Sequence, residues 1–273
     1  MGLFDGILIC TDLDGTLYKN DKTISCENRE AIDYFKSEGG AFSFITGRMP
    51  YYSVDAYEAV QPNVPYGCIN GGGVYDGAKR EYVWFNELSS EALELVRLID
   101  TQFPHVGIQL CCFNKTCFAK ENDTTVRFRK TTGLPKVSCD YRDFHEPMGK
   151  ILFCSDLEDE LLAVKRALLE SELSEKFDFI RSERSLFEIL PKGANKGLAL
   201  NKLSEYLEIG MAKTVAIGDY DNDASMLKAA GVGIAVSNAS EKAKSAADII
   251  TVSNEENAIA RVIYDIRDRK FGF

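Results

Sequence analysis

Residues 7–16 read ILICTDLDGT, an apolar run that ends in two aspartates, Asp12 and Asp14. A short apolar run is typical of a buried strand in a parallel sheet, and such strands present their carboxyl ends to the crevice where open α/β sheets bind ligands. Two like charges placed there are costly unless a cation lies between them or their pKa values separate. A bound Mg²⁺, with one carboxylate as nucleophile and the other as acid and base, would meet both conditions. Taken alone, the pair also fits a solvated turn that caps a helix.

The composition is that of an ordinary globular chain with an excess of acidic groups. Of the 273 residues, 45% are hydrophobic and 27% are charged, and 32 basic against 42 acidic residues give a net charge of −10. A protein that binds nucleic acid needs a basic face, and the sequence has no run of Lys or Arg, so nucleic acid is not an expected partner. No segment approaches the roughly 18 uninterrupted apolar residues of a membrane span, so no membrane association is expected either.

The cysteines and histidines argue against a zinc site. The chain has eight cysteines, none in a Cys-x-x-Cys pair, and two histidines. Several cysteines lie in apolar, strand-like runs, where Cys acts as a small hydrophobe. Residues 1–6 lack the features of a signal peptide, so a reducing cytoplasm is the expected compartment. No heptad or zipper pattern is present, and the oligomeric state stays open.

Strands and helices alternate at both ends of the chain, which indicates an α/β fold with a doubly wound, mostly parallel, Rossmann-like sheet. The residues assigned to this core are 1–83 and 192–273. Its predicted strands are 7–11, 41–46, 66–70, 214–218, 233–236 and 249–252, and its predicted helices are 27–37, 50–60, 195–207, 224–230, 241–246 and 255–266.

The middle of the chain lacks this alternation, and we interpret residues 84–191 as an α+β domain inserted into the core. Paired strands are expected at both ends of the insert, with long helices between them. The predicted elements are hairpins at 106–120 and 177–190, a strand at 150–154, and helices at 91–103 and 157–170.

Two further segments suit the binding of a phosphoryl group. Residues 45–48 read ITGR at the end of a predicted strand, where the Thr46 hydroxyl and the backbone N–H of Gly47 can bind a phosphoryl oxygen. Residues 192–197 read KGANKG just before a helix, and Lys196 is unfavourable for the dipole of that helix. Because this position is unfavourable for a positive charge, it indicates that Lys196 has another role, such as neutralising a phosphoryl group.

The fourth segment, residues 218–223, reads GDYDND and again follows an apolar strand. Three aspartates at alternating positions make an oxygen-rich patch that suits Mg²⁺. Four strand-end segments of complementary chemistry arise by chance far less readily than any one of them.

Together the motifs DLDGT, ITGR, KGANKG and GDYDND resemble those of the haloacid dehalogenase (HAD) superfamily of phosphohydrolases, in particular its Cof-type branch with a C2B cap. The motifs come in the order of that family, and the insert lies between the second and third, where the branch carries its cap. The resemblance covers essentially the whole chain. It implies an Mg²⁺-dependent phosphatase that acts on a small phosphorylated metabolite, such as a sugar phosphate, a nucleotide or a cofactor phosphate.

The same resemblance implies roles for the aspartates. Asp12 would be the nucleophile that forms an aspartyl-phosphate, and Asp14 would be the general acid and base. The Asp12 carboxylate, the Asp14 backbone carbonyl and Asp219 would hold Mg²⁺, with Asp223 binding it directly or through a neighbour.

The remaining implied roles concern the phosphoryl group and the rest of the substrate. The phosphoryl oxygens would be bound by Thr46, Gly47, Lys196 and Asn222. The cap or the rim of the site would contact the substrate through Arg48, Arg184 and Glu188.

Three other readings stay open at this point. A phosphomutase or phosphotransferase would use the same Asp12 and Asp14 but return the phosphoryl group to a second hydroxyl. A dehalogenase is disfavoured because carbon–halogen cleavage needs no acid at the position of Asp14. The third alternative is a phospho-accepting regulatory protein, such as a receiver domain. It is disfavoured because receiver domains are shorter and lack an insert of about 100 residues, whose ordering costs conformational entropy.

Overall fold

The computed structural model describes residues 2–272, which form two compact units. Within the described residues, the first unit consists of residues 2–47, 54–84 and 195–272. The second unit consists of residues 48–53 and 85–194. The strands, in chain order, are β1 (Leu8–Thr11), β2 (Ala41–Phe44), β3 (Tyr66–Cys68), β4 (Gly73–Asp76), β5 (Glu81–Phe85), β6 (Gly107–Cys112), β7 (Thr116–Lys120), β8 (Met148–Cys154), β9 (Phe177–Glu183), β10 (Leu186–Pro191), β11 (Thr214–Gly218), β12 (Val232–Ala235) and β13 (Ile249–Ile250). The α-helices are α1 (Cys26–Ser37), α2 (Val54–Val60), α3 (Ala92–Gln102), α4 (Asp123–Thr131), α5 (Glu158–Leu169), α6 (Lys196–Tyr206), α7 (Ala224–Ala229), α8 (Glu241–Ala246) and α9 (Ala258–Arg267).

The first unit is built around a five-stranded parallel sheet of order β13-β12-β11-β1-β2. The central strand β1 is parallel to both of its neighbours, with Leu8 opposite Thr214 of β11 and Ala41 of β2. Leu8 and Ile9 are fully buried, which explains why this strand is apolar at successive positions. Because the strands are parallel, the residues that follow β1, β2 and β11 lie at the same edge of the sheet.

The predicted third strand of this sheet, residues 66–70, has a different place. It is shorter and forms β3, which pairs antiparallel with β4 in a separate three-stranded sheet of order β3-β4-β5. Its link to the end of β2 is a single parallel bridge between Ile45 and Gly67. The chain turns at Ile69 and Asn70, which have positive φ angles of 57° and 50°, so the strand ends after Cys68.

The second unit contains a five-stranded antiparallel sheet of order β7-β6-β8-β10-β9. One face of this sheet carries the apolar core, to which α3 and α5 contribute buried residues such as Leu95, Ile99 and Val164. Alternation along the strands places Lys150 and Glu188 on the opposite face. The predicted fold class is therefore confirmed: a mostly parallel α/β sheet and an α+β unit inserted in the chain.

One predicted helix differs in detail, and one helix was not predicted. The single helix expected at residues 50–60 is a 3₁₀ turn over Pro50–Tyr52 followed by α2, and the break falls at Ser53, whose hydroxyl donates to the Met49 carbonyl. Helix α4 was not expected, although Asn122 forms a capping box with Thr125 at its start. Its polar sequence gives no apolar stripe for a periodicity argument.

Within residues 2–272, no helix has the length and apolar character required to cross a membrane.

Candidate active site

The centre of the site is a buried lysine that bridges two carboxylates. Asp12 directly follows β1, and its backbone N–H donates to the Ile217 carbonyl at 2.8 Å, which continues the parallel pairing with β11. The Lys196 Nζ donates to the Asp12 Oδ1 and to the Asp223 Oδ1, each at 2.5 Å. Lys196 and Asp223 are 1% and 0% exposed, and Asp12 is 9% exposed. The first, third and fourth sequence segments therefore meet at one point.

The position of Lys196 follows from the way α6 begins. Asn195 is the N-cap, and its side chain accepts a hydrogen bond from the Leu198 backbone, so Lys196 is the first residue of the helix. Gly71 has φ +97°, and a Cβ at that position would lie 1.8 Å from the Asn195 carbonyl oxygen. A glycine at position 71 therefore lets the chain after β3 approach the start of α6.

Asp219 is held beside this bridge by the loop after β1. The Thr16 hydroxyl donates to the Asp219 Oδ1 at 2.7 Å. Gly15 has φ +82°, and a Cβ there would lie 2.6 Å from the Asp219 Oδ2, so this loop approaches Asp219 too closely for any side chain. The Asp223 Oδ2 accepts hydrogen bonds from the backbones of Asp219 and Tyr220, both at 2.9 Å, which fixes the acidic loop after β11.

The pKa values reflect this crowding. Burial raises the pKa of Asp12 well above its usual range; Lys196 opposes the rise, and Asp223 and Asp219 add to it. Burial and the neighbouring Asp223 raise the pKa of Asp219 to about 6. Burial alone would lower the pKa of Lys196, but the two carboxylates more than offset it and raise that pKa, so the ammonium stays charged.

The donor set fits a hard divalent cation. Asp12, Asp219 and Asp223 each offer a carboxylate oxygen, and these oxygens all lie within 4.8 Å of one another. Three carboxylates against one ammonium leave excess negative charge in a buried place, and oxygen donors are the ligands that Mg²⁺ prefers.

Asp14 is in a more open environment than Asp12. Its side chain is 40% exposed, and its Oδ1 accepts a hydrogen bond from the Lys22 Nζ at 2.8 Å. The two carboxylates of the first motif therefore have different surroundings, one buried against Lys196 and the other at the surface beside a second lysine.

The second motif lies next to the turn after β3. Thr46 is 4% exposed, and its carbonyl accepts from the Asn70 backbone at 3.1 Å. A Cβ on Gly47 would lie 2.9 Å from the Asn70 side chain, and the Asn70 Oδ1 accepts from the Asn222 Nδ2 at 3.1 Å. This network joins the second motif to the loop that carries Asp219.

The three predicted substrate residues lie in the second unit and differ in surroundings. Arg48 is partly buried in the segment 48–53, and Arg184 is exposed in the turn between β9 and β10. Glu188 is 1% exposed; its carboxylate accepts from the Lys150 Nζ at 3.0 Å and from the Ser182 hydroxyl at 2.5 Å. The carboxylate of Glu188 raises the pKa of Lys150 although burial opposes it.

Sequence reasoning assigned no role to four residues in these surroundings. Thr16 belongs to the first motif and Asn70-Gly71 also resembles the family pattern, but only the structure shows the partners of the Thr16 and Asn70 side chains. Lys150 could have been noticed as a lone charge in an apolar strand, because such a group needs a buried partner. Lys22 has no signal in the sequence beyond its distance of eight residues from Asp14.

Known proteins of similar sequence point to one family. The family model of haloacid dehalogenase-like hydrolases matches residues 9–263. The 5-amino-6-(5-phospho-D-ribitylamino)uracil phosphatase YitU of Bacillus subtilis is 29% identical, over 94% of this chain and 96% of its own length. The HMP-PP phosphatase of Yersinia pseudotuberculosis is 30% identical, over 85% of this chain and 84% of its own. A haloacid dehalogenase-like hydrolase from Bacteroides thetaiotaomicron superposes with a TM-score of 0.83 at 28% identity, over 95% of this chain and 99% of its own.

A mostly parallel sheet with an acidic, lysine-bridged edge and an inserted unit thus defines an α/β protein with a candidate active site at that edge. The chain belongs to the haloacid dehalogenase-like hydrolase family, and it is a phosphatase of the Cof type. The family and the enzyme class expected from the four motifs are confirmed.

Proposed function

We propose that the protein hydrolyses the phosphate ester of a small metabolite with Mg²⁺ and through a phosphorylated Asp12. The observation that carries this proposal is the buried Lys196 ammonium, which lies 2.5 Å from both Asp12 and Asp223. A lysine in that place neutralises the nucleophile while it is free and can neutralise phosphoryl oxygens once they arrive. The curated relatives YitU and the HMP-PP phosphatase carry the names of phosphatases of phosphorylated metabolites, which supports the same substrate class.

In the first step, an Asp12 carboxylate oxygen attacks phosphorus. The new bond joins that oxygen to phosphorus, the bond between phosphorus and the leaving oxygen breaks, and Asp14 gives its proton to the leaving oxygen. In the second step, water attacks the phosphorus of the aspartyl-phosphate and passes a proton to Asp14, and the bond between phosphorus and the Asp12 oxygen breaks. Inorganic phosphate leaves, and both aspartates return to their starting states.

Four residues would hold the phosphoryl group during these steps. The Thr46 hydroxyl and the Gly47 N–H would donate to its oxygens, Lys196 would balance their charge, and Asn222 would orient them. Hydrogen bonds already hold the Thr46 backbone through its carbonyl, the Asn222 amide through Asn70, and the Lys196 ammonium through its carboxylates. Little reorganisation is then needed when the substrate binds.

Mg²⁺ would be held by the carboxylates of Asp12 and Asp219 and by the Asp14 carbonyl, with Asp223 beside them. When bound, the ion would neutralise charge on the transferring phosphoryl group. Its positive charge would also favour the ionised form of Asp12, whose pKa burial otherwise raises.

We propose Arg48, Arg184 and Glu188 as contacts for the organic part of the substrate. Glu188 is buried, and Lys150 and Ser182 hold its carboxylate on the face of the antiparallel sheet opposite the apolar core.

We further propose a reducing cytoplasm as the compartment of the protein. All eight cysteines are free thiols, which supports this proposal.

The test is hydrolysis of 4-nitrophenyl phosphate and of a panel of phosphorylated metabolites, with Mg²⁺ and then with a chelator. Asp12→Asn keeps the size of the side chain but removes the nucleophile, and Asp33→Asn makes the same change at an exposed aspartate of helix α1. We expect metal-dependent phosphate release that is lost in Asp12→Asn and kept in Asp33→Asn. Release by Asp12→Asn at the wild-type rate would refute the role of Asp12.

A further inference from the structure

Residues 19–23 form a short turn after the first motif. The turn carries Lys22, whose ammonium lies 2.8 Å from the Asp14 carboxylate. Lys22 is exposed, and its φ of 65° is uncommon for a residue with a side chain. Such backbone conformations persist where the surrounding structure fixes them, and they often occur next to functional groups.

The turn is fixed at several points. The Lys19 N–H donates to the Thr23 carbonyl and the Lys22 N–H to the Lys19 carbonyl, both at 2.9 Å. The Asp21 carboxylate accepts from the backbone and the hydroxyl of Thr23, at 2.9 and 2.6 Å. These bonds define the backbone from which the Lys22 side chain extends.

The turn is also tied to the rest of the first unit. The Asn20 N–H donates to the Glu255 carboxylate at 2.7 Å, and the Asn254 amide, 3% exposed, donates to the Tyr18 carbonyl at 3.0 Å. Tyr18 in turn donates to the Leu13 carbonyl at 2.8 Å, one residue before Asp14. The scaffold therefore holds the backbone at both ends of the ion pair, near Asp14 in the motif and at Lys22 in the turn.

We propose that Lys22 is a positioning residue that holds the Asp14 Oδ1 and so orients the Asp14 carboxyl group, whose Oδ2 carries the proton that passes to the leaving oxygen. The proposal rests on the function proposed above, in which Asp14 is the general acid. An exposed ion pair changes a folding equilibrium by about fivefold at most, so the fold does not depend on this contact. A proton donor that samples several orientations is in reach of its acceptor for less of the time, and proton transfer slows in proportion.

The effect of Lys22 should depend on the leaving group. Phenyl phosphate releases a basic phenolate that needs a proton, whereas 4-nitrophenyl phosphate releases a stable anion that leaves without one. We expect Lys22→Met to lower kcat/KM for phenyl phosphate by about fivefold more than for 4-nitrophenyl phosphate. Lys22→Arg should restore the wild-type ratio, because its guanidinium can also hold a carboxylate.

Lys19→Met is the matched control, since it removes the same charge from the same turn, and it should leave the ratio unchanged. Equal losses on both substrates, or no loss on either, would overturn the positioning role.

A second readout does not depend on turnover. Crystal structures of the wild type and of Lys22→Arg should show one Asp14 orientation, and that of Lys22→Met should show more than one. An unchanged, single Asp14 orientation in Lys22→Met would overturn the proposal. If the wild type releases no phosphate from either ester, the proposed function fails, and the crystal structures still decide whether Lys22 orients Asp14.

Discussion

Lys196 has two proposed tasks: its charge compensates the buried carboxylates, and it neutralises the oxygens of the phosphoryl group. Replacing Lys196 by Met tests both, because the side chains are of similar length and only the charge is lost. In the metal-free protein the change leaves Asp12, Asp219 and Asp223 buried together without a cation. Removal of one partner from a buried ion pair costs about 3–5 kcal/mol. For a chain of this size, a loss of about 3 kcal/mol lowers the Tm by about 6–12 °C.

The sign of the pH dependence follows from the carboxylates. Burial already raises the pKa of Asp12 and of Asp219, and loss of the ammonium raises both further. A carboxyl group whose folded pKa is raised contributes stability that is fully present below its unfolded pKa and is lost as pH rises through the folded pKa. The gap in Tm between Lys196→Met and the wild type should therefore be small near pH 4 and widen as pH rises through and above about 6.

Mg²⁺ should restore much of this stability, because a divalent cation compensates the same carboxylates. Activity should not return: we expect kcat to fall by at least about 100-fold, since the charge that faces the phosphoryl group is missing. Lys150→Met is the matched control, because it breaks another buried ion pair, with Glu188. Its Tm should also fall, and Mg²⁺ should raise it only as much as it raises the Tm of the wild type, because the metal site is intact.

The assay is thermal unfolding from pH 4 to 8 with Mg²⁺ and with a chelator, together with phosphate release. A Lys196→Met protein with the wild-type Tm throughout, or one that Mg²⁺ stabilises no more than it stabilises Lys150→Met, would refute this account of the site.

Three smaller predictions concern the metal site. Because the pKa of Asp219 is about 6, protons should compete with Mg²⁺ below that pH, and titration calorimetry should show weaker binding at pH 5.5 than at pH 7.5; equal affinities would contradict it. Gly15→Ala should weaken Mg²⁺ binding, because the added Cβ would contact Asp219. Gly193→Ala is the control: Gly193 has φ +84° and nothing within 4 Å of a Cβ, so this change should cost only about 1 kcal/mol of stability and leave binding intact. Equal effects of the two changes on binding would contradict the close approach of Gly15 to Asp219. Thr16→Val removes the hydroxyl that lowers the pKa of Asp219, so the pH at which binding weakens should rise, and an unchanged midpoint would count against this hydrogen bond.

Most of the parallel sheet and of its acidic edge could be predicted from the sequence, because the chemistry is encoded locally. The apolar run of residues 7–10 predicts β1, because a strand buried on both faces is apolar at successive positions. The charged residues that follow this run must then lie at the end of the strand. The order of the four motifs then places Asp12, Lys196 and Asp219 at one edge, and the structure brings these three side chains together.

The features that the sequence did not reveal depend on contacts between distant residues. Helix α4 has few apolar residues, so only its capping box at Asn122 marks it. The break at Ser53, whose hydroxyl donates to the Met49 carbonyl, is not visible in the periodicity of the sequence. Lys22 and Lys150 are ordinary lysines until the fold places them against Asp14 and Glu188.

The most direct test of the central claim is to detect the phosphate group on Asp12 itself. The protein is mixed with 4-nitrophenyl phosphate and Mg²⁺, quenched in acid within the first turnover, and treated with borohydride, which reduces an acyl phosphate to an alcohol. Peptide mass spectrometry then locates the reduced residue. The account predicts reduction at Asp12, and none in Asp12→Asn. Phosphate release without any reduced residue, or with reduction at Asp14 or Asp219 instead, would contradict it.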